Sequence, residues 1–124
     1  MTETVVWILQ VVVALAFGMA GIMKLMQPKE KLQERMAWVN DFSQNQIRLI
    51  GLVEILGAIG VILPILLNVL PILTPLAAAG LTLTMLGAAL VHLRRQEYPM
   101  IGINFVLGLL AALVFIGRMD LLNM

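Results

Sequence analysis

The chain has 124 residues, 61% of them hydrophobic and only 12% charged, where an average soluble domain is ~25% charged; a soluble globular domain and a disordered chain are both excluded. Eight Lys and Arg against seven Asp and Glu leave a net charge of +1, with neither a basic excess nor an acidic tail to suggest nucleic acid. With no cysteine and one histidine, thiol chemistry, thiolate metal sites and a multi-histidine metal site within one copy are excluded as well.

Three stretches carry no charge: Thr4 to Met23, Ile55 to Val91 and Tyr98 to Gly117. A helix needs ~20 apolar residues to cross the hydrocarbon of a bilayer, so the middle stretch, nearly twice that length, holds two spans. The sequence therefore predicts an all-α integral membrane four-helix bundle forming a single transmembrane domain over residues 1–124. The first span is expected at 4–27. Ala14-Leu15-Ala16 has the look of a cleavage site, but no Lys or Arg precedes it and the apolar run continues to Met23, so the segment reads as a retained helix.

The first loop contains Leu32, Met36 and Val39 at i, i+4 and i+7 between charged neighbours, the pattern of a short amphipathic interfacial helix over 29–40. It reads first as a packing lid and second as a docking surface. Ser43 and Gln46 form an S-x-x-Q capping box that starts the second span, 46–69, and Pro64 should kink it or end it early. Thr74 followed by Pro75 reads as a capping hydroxyl and a first-turn proline, placing the third span at 75–94. Pro99 opens the fourth, 99–118.

Seven of the eight basic residues (Lys24, Lys29, Lys31, Arg35, Arg48, Arg94 and Arg95) fall at the end of the bundle that carries the first and third loops, and only Arg118 at the other. The positive-inside rule then places these loops in the cytoplasm and both termini away from it, in a bacterial cytoplasmic membrane. Trp7, Trp38 and Tyr98 suit interfacial anchors, and Arg48 suits lipid headgroups.

Four polar residues within the spans stand on stripes of small or apolar residues: Lys24 with Gln10, Val13, Phe17 and Gly21; Glu54 with Gly51, Ala58 and Val61; His92 with Ala77, Thr84 and Ala88; Asn104 with Gly108, Ala111 and Phe115. Small residues and interhelical hydrogen bonds are what associate helices in lipid, so these stripes should face inward. Glu54 lies about 12 Å beyond Gln46 and Asn104 about 6 Å beyond Met100. Cβ bonds tilt toward each helix N-terminus, which brings Lys24, Glu54, His92 and Asn104 toward one layer in the cytoplasmic half. Glu54 costs ~3 kcal/mol to insert alone. Paired with Lys24 it stays ionised; buried without a partner it is protonated. A structural pair and a functional site stand as equal readings. So do an interfacial and a pocket role for His92, while Asn104 suits a helix–helix hydrogen bond.

Phe17-x-x-Ala20-Gly21-x-x-Lys24, Ile47-Arg48-Leu49-Ile50-Gly51-x-x-Glu54-x-x-Gly57 with Pro64 downstream, and Gly87-Ala88-Ala89-x-x-His92-x-Arg94 together resemble the DoxX-like family across nearly the whole chain. The resemblance implies a four-helix membrane protein. Relatives include the small membrane subunit of a thiosulfate:quinone oxidoreductase, a mycobacterial membrane component of an oxidative-stress complex and, more distantly, an animal assembly chaperone for nicotinic receptors. It carries over no catalytic residue.

Two functions follow as expectations. The first is a non-catalytic accessory or binding subunit, such as one of a membrane oxidoreductase, whose Lys24, Glu54, His92 and Asn104 close a pocket for a quinone-like or lipid-like molecule. The second is a structural or assembly protein acting on a membrane-protein partner or a second copy, with Gly108-x-x-x-Ala112 as a contact pattern. A transporter would need polar groups across the outer half, where Gln10, Asn68 and Thr84 are the main ones. No metal set, nucleophile–base pair or phosphate loop supports a stand-alone enzyme.

Overall fold

A computed structural model describes residues 1–123. The helices are α1 (Glu3–Met26), α2 (Lys29–Leu32), α3 (Gln44–Gly60), α4 (Leu63–Leu66), α5 (Leu73–Arg94) and α6 (Tyr98–Arg118), with 3₁₀ turns at Ala37–Asp41 and Met119–Asn123. Four helical segments, Glu3–Met26, Gln44–Leu66, Leu73–Arg94 and Tyr98–Asn123, are long and apolar enough to span a membrane. Each of α1 and α5 packs against both α3 and α6, so the spans form an up-and-down ring. One end, called here the basic end, carries the α1–α3 and α5–α6 connections. The opposite end carries Arg118.

The interior is apolar, with Val13, Phe17, Ala58, Val61, Ala78, Leu81, Met85, Ala111 and Val114 at its centre. The outside is apolar too: Leu15, Met19, Leu83 and Phe105 are all more than 60% exposed. Burying one apolar surface rather than another gains little in lipid, so close backbone approach decides which faces meet. At the α1/α3 crossing a Cβ on Gly21 would lie 2.6 Å from the Gly51 carbonyl oxygen, and one on Gly51 would lie 2.7 Å from that of Gly21. The two backbones touch.

The buried faces of α1 and α3 are the predicted stripes, Gln10/Val13/Phe17/Gly21/Lys24 and Gly51/Glu54/Ala58. On α5 the face is Thr74, Ala78, Leu81, Met85 and His92, not Ala77, Thr84 and Ala88, which are half-buried. Two successive steps of four residues, from His92 to Ala88 and Thr84, overshoot the 3.6-residue turn and rotate the stripe sideways. On α6 the buried set is Asn104, Ala111, Val114 and Arg118, while Gly108 and Phe115 are half-buried.

The capping box forms as expected, with Gln46 N donating to Ser43 Oγ at 3.1 Å and Ser43 N to Gln46 Oε1 at 2.9 Å. It starts α3 at Gln44. Pro64 then divides the second span: α3 stops at Gly60 and resumes as α4. A proline has no N–H, so the Gly60 carbonyl four residues earlier has lost its helical donor. The Thr74 hydroxyl replaces it, donating to Gly60 O at 2.9 Å. The next carbonyl, Val61, accepts from Gln10 Nε2 at 2.6 Å. Thr74 is therefore not the N-cap of the third span, as its position before Pro75 had suggested; α5 begins two residues before the expected start, at Leu73, with Ile72 as the cap. Thr74→Val, which keeps the shape and removes the donor, should cost about 1–3 kcal/mol by leaving the Gly60 carbonyl bare within the span. Thr84→Val, which removes only a bond from that hydroxyl to Gly80 O on its own helix, should cost almost nothing. Equal effects of the two substitutions in thermal unfolding would refute this assignment.

The first loop folds down on the bundle. Its interfacial segment is not the single helix expected over 29–40: α2 ends at Leu32, and the 3₁₀ turn follows after Met36, whose backbone (φ −131°, ψ 87°) is not helical. Leu32 and Val39 are fully buried with Ile47 of α3, and Met36, Trp38 and Phe42 pack around them. The Trp38 and Phe42 rings meet edge to face at 5.5 Å.

Candidate functional site

Lys24 and Glu54 form an ion pair inside the bundle, Nζ to Oε1 2.6 Å, with side chains 11% and 2% exposed. Each stands three residues beyond its crossing glycine, Gly21 and Gly51. Because α1 and α3 run in opposite directions, this spacing sets the two Cα atoms at different heights along the axis. Both side chains lean back toward their own N-termini, and so they meet across the crossing. The Trp38 ring lies over the ammonium, 5.7 Å from Nζ to the ring centroid, a cation–π contact that closes the pair from the basic end. The lid reading of the first loop thus acquires a specific object.

His92 does not join this pair. Its Nδ1 donates to Glu97 Oε1 at 2.9 Å, and Arg95 Nε donates to the same oxygen at 3.1 Å. Arg95 also reaches Asp41 of the first loop at 2.9 Å. The α5 C-terminus explains the placement. Glu97 N bonds His92 O at 2.8 Å and Gln96 N bonds Leu93 O at 3.1 Å, with Gln96 left-handed at φ 60°. These are the two bonds of a Schellman motif, and they turn the chain back so that Glu97 sits beside His92. The imidazole hydrogen bond, then Arg95, hold the Glu97 carboxyl below the usual carboxylate range. Asp41 foremost, then Glu97, raise the Arg95 guanidinium above its ordinary value.

Asn104 stands apart from both groups. It is 7% exposed and its amide nitrogen is buried with no hydrogen-bond partner. It lines a groove of about 270 Å³ between α5 and α6, with Met85, Ala89, Ile101, Phe105 and Gly108 among its neighbours. Gly108 brings the helices together there: a Cβ on it would be 3.2 Å from Met85 Cβ. The expected single layer is thus three arrangements: an interhelical ion pair, a hairpin latch and an amide with capacity to spare. The tight α5–α6 turn accounts for the difference, because it gives His92 a carboxylate on its own hairpin.

A fourth polar group, at the Arg118 end, was not singled out as a site from sequence. Arg118 donates from Nε to Gln10 Oε1 at 2.9 Å and from its two terminal nitrogens to the Glu3 carboxylate at 3.0 and 2.9 Å. The guanidinium also lies 5.6 Å from the Trp7 ring centroid. Through Gln10 and Val61 O the network ties α6 and α1 to the break after α3. Gln10 on a buried stripe was the available signal; its partner, 108 positions away, was not.

Among the described residues no three His, Asp or Glu side chains gather as a metal site. Compared with known proteins, the chain matches the sequence model of the DoxX-like family over residues 8–114. No curated protein and no solved structure matches it.

Proposed function

The chain belongs to the DoxX-like family, and from that premise we propose that it is a non-catalytic accessory subunit that holds a quinone-like or lipid-like molecule within the membrane. Asn104 carries the reading. Of the four polar side chains expected to form the site, Lys24 and Glu54 bond each other and His92 bonds Glu97. Asn104 alone keeps a buried amide nitrogen without a partner, beside a groove on the bundle surface. Buried polar groups are nearly always satisfied, by protein or by something bound. On this reading the Lys24–Glu54 pair and the His92–Glu97 latch are the frame, and the amide is the contact. The bundle sits in the bacterial cytoplasmic membrane with its basic end inside, a placement supported by the seven-to-one distribution of Lys and Arg.

The test is to purify the protein in mild detergent from its native membranes, extract it with organic solvent and analyse the extract by mass spectrometry. A near-stoichiometric amphiphile, displaced by an added short-tailed quinone or lipid, is the expected result. A preparation that carries none and binds none of the added molecules overturns the proposal. Recovery in a fixed complex with another membrane protein, again without an amphiphile, would overturn it in favour of an assembly role.

A further inference from the structure

We infer that the groove between α5 and α6 is the ligand site, and that its ligand is an uncharged amphiphile whose planar head carries a carbonyl. The inference rests on the binding function proposed above and assigns its place and chemistry. No charged residue lines the groove, so a phosphate or ammonium head would enter without a counter-charge, which hydrocarbon penalises heavily. One polar side chain buried at least nine-tenths, Asn104, is available, and it has an unspent N–H donor. A primary amide exchanges nitrogen and oxygen by a half-turn of its terminal torsion, so those N–H groups can be presented to an acceptor in the groove. A carbonyl oxygen is the uncharged acceptor that answers them.

Size and shape narrow the head further. The groove measures about 270 Å³, against the ~150 Å³ of an apolar cavity that takes one benzene ring. It therefore holds a ring with the first part of a tail. Phe105, next in sequence to Asn104 and 69% exposed, lines the rim and offers a flat aromatic face for a ring to stack on. Asn104 lies about 9 Å in from Tyr98 along α6, just beneath the level of the headgroups. Beyond it the lining continues along α6 to Ala112, a small residue that leaves room for a tail running toward the midplane.

Three probes and three variants test this in detergent-solubilised full-length protein: a benzoquinone with a decyl tail, dioctanoylglycerol as an ester carbonyl without a ring, and dioctanoyl phosphatidylglycerol as a charged head. The expected result is that the benzoquinone binds best, about tenfold more weakly to Asn104→Leu and more weakly still to Ala112→Phe, which fills the path of the tail. Gly87→Ala, where an added Cβ meets nothing within 4 Å, should bind as wild type does. Circular dichroism and gel filtration confirm that each variant is folded. Should Asn104→Leu misfold, Ala112→Phe decides alone. Benzoquinone binding that neither variant weakens overturns the site and leaves the proposed function standing. Preference for the glycerol ester or the charged lipid overturns the head chemistry. Failure of all three probes on wild type overturns the function and this inference together.

Discussion

Lys24→Met should lower the unfolding free energy by about 3–5 kcal/mol, because it strands the Glu54 carboxylate inside the bundle. Glu54→Met does the same to the ammonium. The double variant recovers most of the loss, since two apolar side chains of similar volume need no partner. Denaturing-detergent titrations of all four proteins give the coupling directly, and simple addition of the two single losses would refute the pairing seen at 2.6 Å. The same double variant separates frame from site. If the pair only clamps α1 to α3, the protein without it should still bind the amphiphile proposed as its ligand.

Gly51→Val should be as damaging by a different route. The atoms in its way are the Gly21 carbonyl oxygen at 2.7 Å, Lys24 Cβ at 2.9 Å and the Leu25 nitrogen at 3.0 Å, and backbone cannot step aside as a side chain does. The helices must part, at a cost at or above the ~3 kcal/mol upper end usual for overpacking. Parting them also lengthens the reach from Lys24 to Glu54. Gly87→Ala is the contrast: with nothing nearby it removes a flexible residue from a helix and should gain up to ~1 kcal/mol. A ranking of melting temperatures with Gly51→Val lowest and Gly87→Ala at or above wild type is the expected outcome. A Gly51→Val protein as stable as wild type would refute the close crossing.

What could be read from the sequence was what local chemistry decides. The four spans, the Ser43–Gln46 box and the interruption at Pro64 each follow from a few adjacent residues, and the structure has all of them. Lys24 and Glu54 could be matched because both stand on inward stripes and their Cβ bonds tilt toward one layer. His92 could not be assigned its partner, because that depends on Gln96 adopting a left-handed conformation that glycine, not glutamine, usually marks. Thr74 was misread for a related reason. A threonine before a proline looks like a cap, and only the fold reveals that a carbonyl on another helix needs its hydroxyl more. The Arg118–Gln10–Glu3 network joins opposite ends of the chain, where no spacing rule applies.

The division of the second span at Pro64 bears on biogenesis. Leaving the translocon by itself, that segment would bring the Gly60 and Val61 carbonyls into lipid without donors, at several kcal/mol each. One donor, Gln10, belongs to the span synthesised before it and the other, Thr74, to the span synthesised after. The second span can therefore be half-satisfied on arrival and completed only once its successor follows, so partitioning into the bilayer and tertiary assembly overlap in time where the two-stage picture of independently stable helices would separate them.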